Sequence, residues 1–122
     1  MIRGLTNSYL EKTAKKFLDK KFLGVYPCNV HPKTKRRTFS IIFNTGKSDT
    51  EGEHFIAVNF TLKSIFYFDP FGEPLLNKDI ILFIENNMKK RSLSANTFKM
   101  QDDNSNFCGF YCLAYLISSK RK

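Results

Sequence analysis

The stretch QDDNSNFCGFYCLAYLI, at residues 101–117, joins a polar half to an apolar half. Its first residues are rich in Asp, Asn and Ser, which favour loops over a packed core. Its last residues are almost all apolar and predict a mostly buried helix. Cys108 lies at the junction, where this helix is expected to begin. Backbone N–H groups and the positive end of the helix dipole favour a thiolate there, and the thiolate is the nucleophilic form of cysteine.

Cys108 is therefore a candidate nucleophile of a cysteine hydrolase. The alternative is that it is a small core residue, as most cysteines outside disulfides are. A catalytic cysteine needs a base that takes its proton and a group that orients this base. The interpretation depends on finding both elsewhere in the chain.

The remaining patterns predict an α+β fold in which a small antiparallel or mixed sheet is covered by helices. Ser8 and Glu11 form a capping box that starts a helix ending near Lys20. An apolar segment at 22–26 is expected to bend at Gly24. Four strands are predicted, at 38–44, 54–60, 65–69 and 97–101, and further helices at 78–90, capped by Asn77, and at 108–119. The short gap between the strands at 54–60 and 65–69 predicts an antiparallel hairpin.

The composition indicates one globular domain over residues 1–122. The chain is 42% hydrophobic and contains 13 Phe, enough for one core. No apolar run is long enough to cross a membrane, and the N-terminus lacks the apolar segment of a secretory signal. Three cysteines without framework spacing favour a reducing compartment, so we expect an intracellular rather than a secreted protein.

The net charge of +9 favours polyanionic partners, with nucleic acid first among them. Motifs that read bases are absent, so any such contact is expected at phosphates. The alternative is a basic surface that only keeps the protein soluble. The basic residues form four clusters: Lys12, Lys15, Lys16, Lys20 and Lys21; Lys33, Lys35, Arg36 and Arg37; Lys89, Lys90 and Arg91; Lys120, Arg121 and Lys122.

His54 and Asp69 are the candidate base and its orienter. His54 opens one predicted hairpin strand and Asp69 closes the other, so the two residues should be neighbours. A carboxylate there can accept from one imidazole nitrogen and leave the other facing Cys108. The alternative for Asp69 is a turn residue before Pro70. The other histidine, His31, lies in a loop without an acidic neighbour in sequence and is predicted to be solvated.

Gln101 is a candidate oxyanion donor, because its neutral N–H groups precede the nucleophile by seven residues. The backbone N–H of Cys108 can serve the same purpose, and the alternative for Gln101 is a satisfied polar side chain in a loop. Cys112 lies one helical turn after Cys108 and is predicted to be structural, whereas Cys28 is a loop thiol. Zinc binding by Cys108, Cys112 and His54 lacks paired ligand spacing, so no metal is expected.

The order His54, Asp69, Gln101, Cys108 resembles the adenovirus-type cysteine endopeptidases, the adenain family, and more distantly the ubiquitin-like-protein proteases of the same clan. The likeness covers about residues 17–117 and includes four local motifs: FLGVY at 22–26, GEH at 52–54, YFDPFG at 67–72 and QxxNSxxCGxxC at 101–112. It implies that His54 is the general base, Asp69 its orienter, Cys108 the nucleophile and Gln101 the oxyanion donor.

The resemblance also implies a function, partners and a location. The expected substrate is a polypeptide, a precursor of a virus or virus-like element cut during particle maturation, in the virion or in the host nucleus or cytoplasm. DNA and a short activating peptide are possible cofactors by resemblance, although residues 91–99 contain no cysteine that could tether such a peptide. Adenain continues past the point that matches Lys122, so this chain is expected to lack that C-terminal region.

Two alternatives remain open at this point. One is removal of ubiquitin-like modifiers by the same catalytic residues. The other is a basic nucleic-acid-binding protein that keeps the protease scaffold without activity.

Overall fold

The computed structural model describes residues 7–45, 54–99 and 108–120, except the side chains of Asn7, Ser8, Cys108 and Lys120. The elements within these ranges are, in order, α1 (Asn7–Phe17), β1 (Phe22–Pro27), β2 (Phe39–Asn44), β3 (Phe55–Phe60), β4 (Ser64–Phe68), α2 (Lys78–Asn86), β5 (Ser92–Ala95) and α3 (Cys108–Lys120). This arrangement confirms the predicted α+β class.

The five strands form one mixed sheet in the order β1-β2-β3-β4-β5. The outer pairs, β1 with β2 and β4 with β5, are parallel, and β3 runs antiparallel to both of its neighbours. The predicted hairpin is therefore present as β3 and β4. The parallel strands β4 and β5 need a crossover connection, and α2 lies within that connection.

Helices cover both faces of the sheet, and each face carries its own apolar cluster. Successive residues of β3 alternate between the clusters, as the strand period of two requires. The first cluster joins the sheet to α1 and α3 through Leu10, Ala14, Phe22, Val25, Ile42, Phe55, Ala57, Phe68, Cys112, Leu113 and Leu116. The second joins it to α2 through Cys28, Phe39, Ile41, Phe43, Ile56, Val58, Phe60, Ile65, Tyr67, Ile80, Phe83 and Ile84. None of the helices in the described ranges is long and apolar enough to cross a bilayer.

The prediction of a strand at 97–101 is wrong for those of its residues that the structure describes. The last strand in the described ranges is β5, at Ser92–Ala95, whereas 97–99 form no strand and 100–101 lie outside the described residues. All four residues of β5 are exposed, so this edge strand is held by backbone pairing with β4 and has no apolar pattern. Phe98, which suggested a strand, is 60% exposed.

Two helices also end earlier than predicted. α2 stops at Asn86, since its C-cap Asn87 has φ of −117° and ψ of 15°, outside the helical range. Lys89 and Lys90, predicted to be helical, have φ angles of 42° and 65°, which an α-helix does not accommodate. Its predicted cap is present, since the Asn77 side chain accepts from the backbone N–H groups of two residues in the first turn. α1 ends at Phe17 instead of near Lys20.

The segment at 22–26 belongs to β1, and Glu11 contacts this strand. One Glu11 carboxylate oxygen accepts from the N–H of Val25 at 2.7 Å. Gly24, with φ of 138°, allows this approach, because a Cβ there would lie 2.5 Å from the same oxygen. The side chain of Ser8, the other member of the predicted box, lies outside the described part of the chain.

Candidate active site

His54 and Asp69 meet at one end of the β3–β4 hairpin. His54 directly precedes β3 and Asp69 directly follows β4. Because Ala57 pairs with Phe68, His54 and Asp69 are offset diagonally by two positions on one face of the hairpin. Nε2 of His54 lies 2.7 Å from Oδ1 of Asp69, and the side chains are only 15% and 5% exposed. The contact is thus largely shielded from water.

The hydrogen bond to Asp69 determines which ring nitrogen of His54 can act as a base. When Nε2–H donates to Asp69, the lone pair is on Nδ1. Asp69 is itself held in place, because Oδ1 also accepts from the backbone N–H of Phe71 at 2.8 Å. An oriented carboxylate behind an imidazole is the arrangement that keeps a general base in one tautomer.

Two residues that the sequence did not single out complete this part of the site. Phe71 stacks on the ring of His54, with centroids 4.5 Å apart. Asn96 is buried and hydrogen-bonds the backbone of Asp69. The turn sequence 69–72 gave a local signal for Phe71, but Asn96 had none, because its contact depends on the pairing of β5 with β4.

α3 begins at the same end of the sheet. Tyr115, two helical turns after Cys108, stacks on Phe68, the residue before Asp69, with ring centroids 4.7 Å apart. Farther along the helix, Leu116 and Ser119 line a cavity of about 300 Å³. The end of β3 lines the same cavity through Asn59 and Phe60, and Thr61 follows them. The helix therefore runs along β3 from the His54 end to the opposite end.

Cys108 is the first residue of α3, so its backbone lies at the end of the molecule that holds His54 and Asp69. The side chain of Cys108 and the whole of Gln101 lie outside the described residues. The predicted roles of these two residues remain predictions. Cys112 is fully buried, which confirms its assignment to the core.

The remaining candidates of the sequence lie on the α2 face. Cys28 is 1% exposed, and its Sγ lies 3.2 Å from the carbonyl oxygen of Thr45. Cys28 lies in the turn directly after β1, as a loop thiol should, and its burial raises the pKa of the thiol. His31 was predicted to be solvated, but its half-buried ring packs against Phe43 and Phe83, with centroids 6.0 and 5.4 Å away. Within the described ranges, no three His, Cys, Asp or Glu side chains are grouped as metal ligands.

Comparisons with known proteins match the fold to a solved structure. Searches of protein-family models and of curated proteins give no match. A crystal structure of the pS273R protease of African swine fever virus (ASFV) superposes with a TM-score of 0.66 and 20% identity, covering 96% of this chain and 57% of that one. The chain has the fold of a viral protease. The selenomethionine crystal structure of that protease gives a TM-score of 0.54 and 24% identity, covering 68% of this chain and 34% of that one.

The likeness to this protease is one of fold, and it covers part of the larger molecule. The chain spans less than two thirds of the length of the protease, 57% in the more extensive superposition. Neither superposition shows that the chain belongs to the adenain family. This membership, which the sequence motifs imply, stays a prediction.

Proposed function

We propose that the protein is a cysteine endopeptidase in which Cys108 attacks the peptide bond and His54, oriented by Asp69, acts as general base. The observation that carries this proposal is the 2.7 Å contact between His54 and Asp69, shielded from water at the end of the sheet where α3 begins with Cys108. The protease fold of the ASFV structure supports the same conclusion.

The proposed reaction proceeds through an acyl-enzyme. Nδ1 of His54 takes the thiol proton of Cys108, and the thiolate attacks the scissile carbonyl carbon to form a tetrahedral oxyanion. Gln101 and the backbone N–H of Cys108 donate hydrogen bonds to this oxyanion. The imidazolium then protonates the leaving amine as the C–N bond breaks. Water, deprotonated by His54, hydrolyses the thioester and restores the thiol.

Asp69 contributes to this cycle by its position and charge. It holds the Nε2–H tautomer before the attack and stabilises the imidazolium afterwards, and it does not itself take the proton. Its burial strengthens this interaction, because the local dielectric is lower than in water.

The proposed substrates are precursor proteins of a virus or virus-like element. The sequence motifs shared with adenain-type endopeptidases and the viral origin of the ASFV protease support this choice. Removal of a ubiquitin-like modifier by the same residues is the competing outcome. Incubating the protein with a capsid precursor and with a ubiquitin-like fusion separates the two.

The test of the proposal is cleavage by the wild type and by matched variants. We expect Cys108→Ala and His54→Ala to abolish cleavage and Cys28→Ala and His31→Ala, which replace the same residue types on the α2 face, to retain it. Cleavage by Cys108→Ala at the wild-type rate would remove Cys108 from the mechanism.

A second candidate function, polyanion binding, is favoured by where the sheet places its basic residues. β1, β2, β4 and β5 run in one direction and so begin at the same end of the sheet. A cation precedes the first residue of each strand by one or two positions; these are Lys21, Arg37, Lys63 and Arg91. This basic end is separated from His54 by the length of β3, about 20 Å.

Arg91 joins two of the basic clusters in space. Its guanidinium donates to the carbonyl oxygens of Arg37 and Asn87 and lies 5.5 Å from the ring centroid of Phe60. Burial, followed by the charge of Arg37, lowers the pKa of Arg91. In the part of the chain that the structure describes, no carboxylate pairs with any of the four cations of the basic end. The phosphates of a nucleic acid would supply that negative charge to the exposed cations, Lys21, Arg37 and Lys63, whereas Arg91 is only 6% exposed and acts from within by holding the Arg37 backbone.

Salt-dependent DNA binding tests this candidate. We expect the double substitution Arg37→Gln and Lys63→Gln to weaken binding and to reduce the slope of log K against log salt by about two. The control is Lys15→Gln, because Lys15 pairs with Glu11 on α1. An unchanged slope in the double variant would overturn the assignment of the basic end. DNA binding without reactivity at Cys108 would favour an inactive scaffold, whereas DNA that accelerates cleavage would favour a protease with a polyanion cofactor.

A further inference from the structure

The side chain of Asn96 pairs with both backbone groups of Asp69. Oδ1 of Asn96 accepts from the N–H of Asp69 at 2.8 Å, and Nδ2 donates to the carbonyl oxygen of Asp69 at 2.6 Å. Nδ2 also donates to the carbonyl oxygen of Phe98 at 3.1 Å. Asn96 is only 6% exposed, so both donors of its amide are used inside the protein.

This amide extends the sheet by one position beyond the end of the ladder. Tyr67 of β4 pairs with Ala95 of β5, and the N–H of Asn96 donates to the carbonyl oxygen of Tyr67 at 3.3 Å. The chain then turns at Pro70, so β4 does not continue, and Asp69 is buried with backbone groups that need partners. The amide of Asn96 supplies those partners in place of a strand.

The same contact holds the turn at 69–72 against the residues that follow β5. A Cβ at Gly72, where φ is 69°, would lie 2.7 Å from the carbonyl oxygen of Phe98, the atom that accepts from Asn96. The N–H of Gly72 donates to the carbonyl oxygen of Asp69 at 2.8 Å. The turn also carries Phe71, which stacks on His54. The hydrogen bond of His54 with Asp69 and its stacking on Phe71 therefore both depend on the position of this turn.

We propose that Asn96 is a positioning residue: by fixing the backbone of Asp69, it holds the Asp69 carboxylate against Nε2 of His54 and keeps the ring in the Nε2–H tautomer. Its importance for catalysis rests on the proposed protease function, whereas its effect on His54 does not. Asn96 touches neither the substrate nor the reacting atoms in this account, since it acts through Asp69.

The first test reads the His54 ring directly in the Cys108→Ala protein, by ¹⁵N NMR of the imidazole nitrogens. We expect one Nε2–H tautomer in this background and a mixture of tautomers after Asn96→Ala. Asn87→Ala is the matched control, because Asn87 also donates from Nδ2 to a backbone carbonyl, that of Phe83 at 2.8 Å, but at the end of α2. His31 serves as an internal reference in each spectrum.

The second test measures alkylation of Cys108 against pH in proteins that keep the native thiol. We expect Asn96→Ala to slow alkylation near neutral pH about tenfold, which is less than the effect of removing the orienter itself. The slowing should diminish as the pH rises and the thiolate forms without a base, a change that a purely structural role does not produce. Asn87→Ala should keep the wild-type pH profile.

If Asn96→Ala fails to fold, Gly72→Ala provides a second test. It disturbs the same turn, because its Cβ would meet the carbonyl oxygen of Phe98. It should also mix the tautomers of His54. A single tautomer and an unchanged pH profile in folded Asn96→Ala would overturn the proposal while leaving the protease function intact. Mixed tautomers after Asn96→Ala, together with no cleavage of any substrate by the wild type, would support the positioning role and contradict the protease function.

Discussion

The ring of Phe71 lies against the ring of His54, with centroids 4.5 Å apart and planes inclined by 27°. The contact covers one face of the imidazole, while Asp69 holds its edge through Nε2. An aromatic residue in a turn thus restricts the rotation of the candidate base, in addition to the carboxylate that orients it.

Phe71→Ala should lower kcat/KM about tenfold to a hundredfold, because the ring of His54 gains freedom and departs from its productive position. The measurement is steady-state cleavage of a precursor peptide. Phe98→Ala is the matched control, since Phe98 is 60% exposed and follows the last strand. Equal activity of the two variants would show that the stacking contact does not matter for the reaction.

Asp69→Asn should lower kcat by roughly a thousandfold or more, because a neutral amide neither enforces the Nε2–H tautomer nor stabilises the imidazolium. Thermal unfolding should confirm that the variant is folded at the assay temperature. The corresponding control is Asp19→Asn, since Asp19 accepts a backbone hydrogen bond from Lys21 near the end of α1. Wild-type kcat in Asp69→Asn would exclude a catalytic role for this carboxylate.

Alkylation followed by peptide mapping should distinguish Cys108 from Cys28. Burial is the main cause that raises the pKa of Cys28, and the charge of Asp79 contributes to the increase. We therefore expect iodoacetamide to label Cys108 below pH 7 and to label Cys28 only after unfolding. Faster labelling of Cys28 than of Cys108 in the folded protein would contradict the activation of Cys108.

The free energy of unfolding should fall at alkaline pH because of Tyr67. Burial, followed by the charge of Asp69, raises the pKa of this phenol above its value in the unfolded chain, which is about 10. The resulting stabilisation is complete below about pH 10 and is lost as the pH rises further, since the unfolded chain releases the proton first. Urea unfolding at several pH values measures the slope.

Tyr67→Phe should make this pH dependence less steep, because it removes the ionisable hydroxyl. Part of the slope should remain, since burial also raises the pKa of Tyr115. Tyr9→Phe, which changes a ring that is 56% exposed, should leave the slope as in the wild type. A slope unaffected by Tyr67→Phe would show that Tyr67 does not carry the effect.

The fold could be predicted from sequence where its causes are local. Three central strands were found because β-branched and aromatic residues follow one another there, and Asn77 was recognised as a cap from the helix that it precedes. β5 could not be found, because its exposed residues, Ser92–Ala95, have no apolar pattern and are held by pairing with β4. Phe98 misled the prediction because an exposed aromatic residue suggests a strand as strongly as a buried one.

The contacts of the candidate site also divide into those with local causes, which the sequence predicts, and those that depend on distant pairing, which it does not. The contact of His54 with Asp69 was expected because hairpin geometry brings the start of one strand beside the end of the next. The role of Asn96 could not be foreseen, because it depends on the position of β5 in the sheet, far from Asp69 in sequence. His31 was misjudged for a similar reason, since its aromatic neighbours come from β2 and α2.

The central claim is that the Cys108 thiol and the His54 ring meet at the end of the sheet. Its most direct test is a crystal structure of the protein with and without a peptide inhibitor attached to Cys108, from which the distance between Sγ of Cys108 and Nδ1 of His54 is measured. We expect about 3–4 Å in the inhibitor-free protein, within reach of proton transfer. A separation well beyond that reach in both structures would contradict the account.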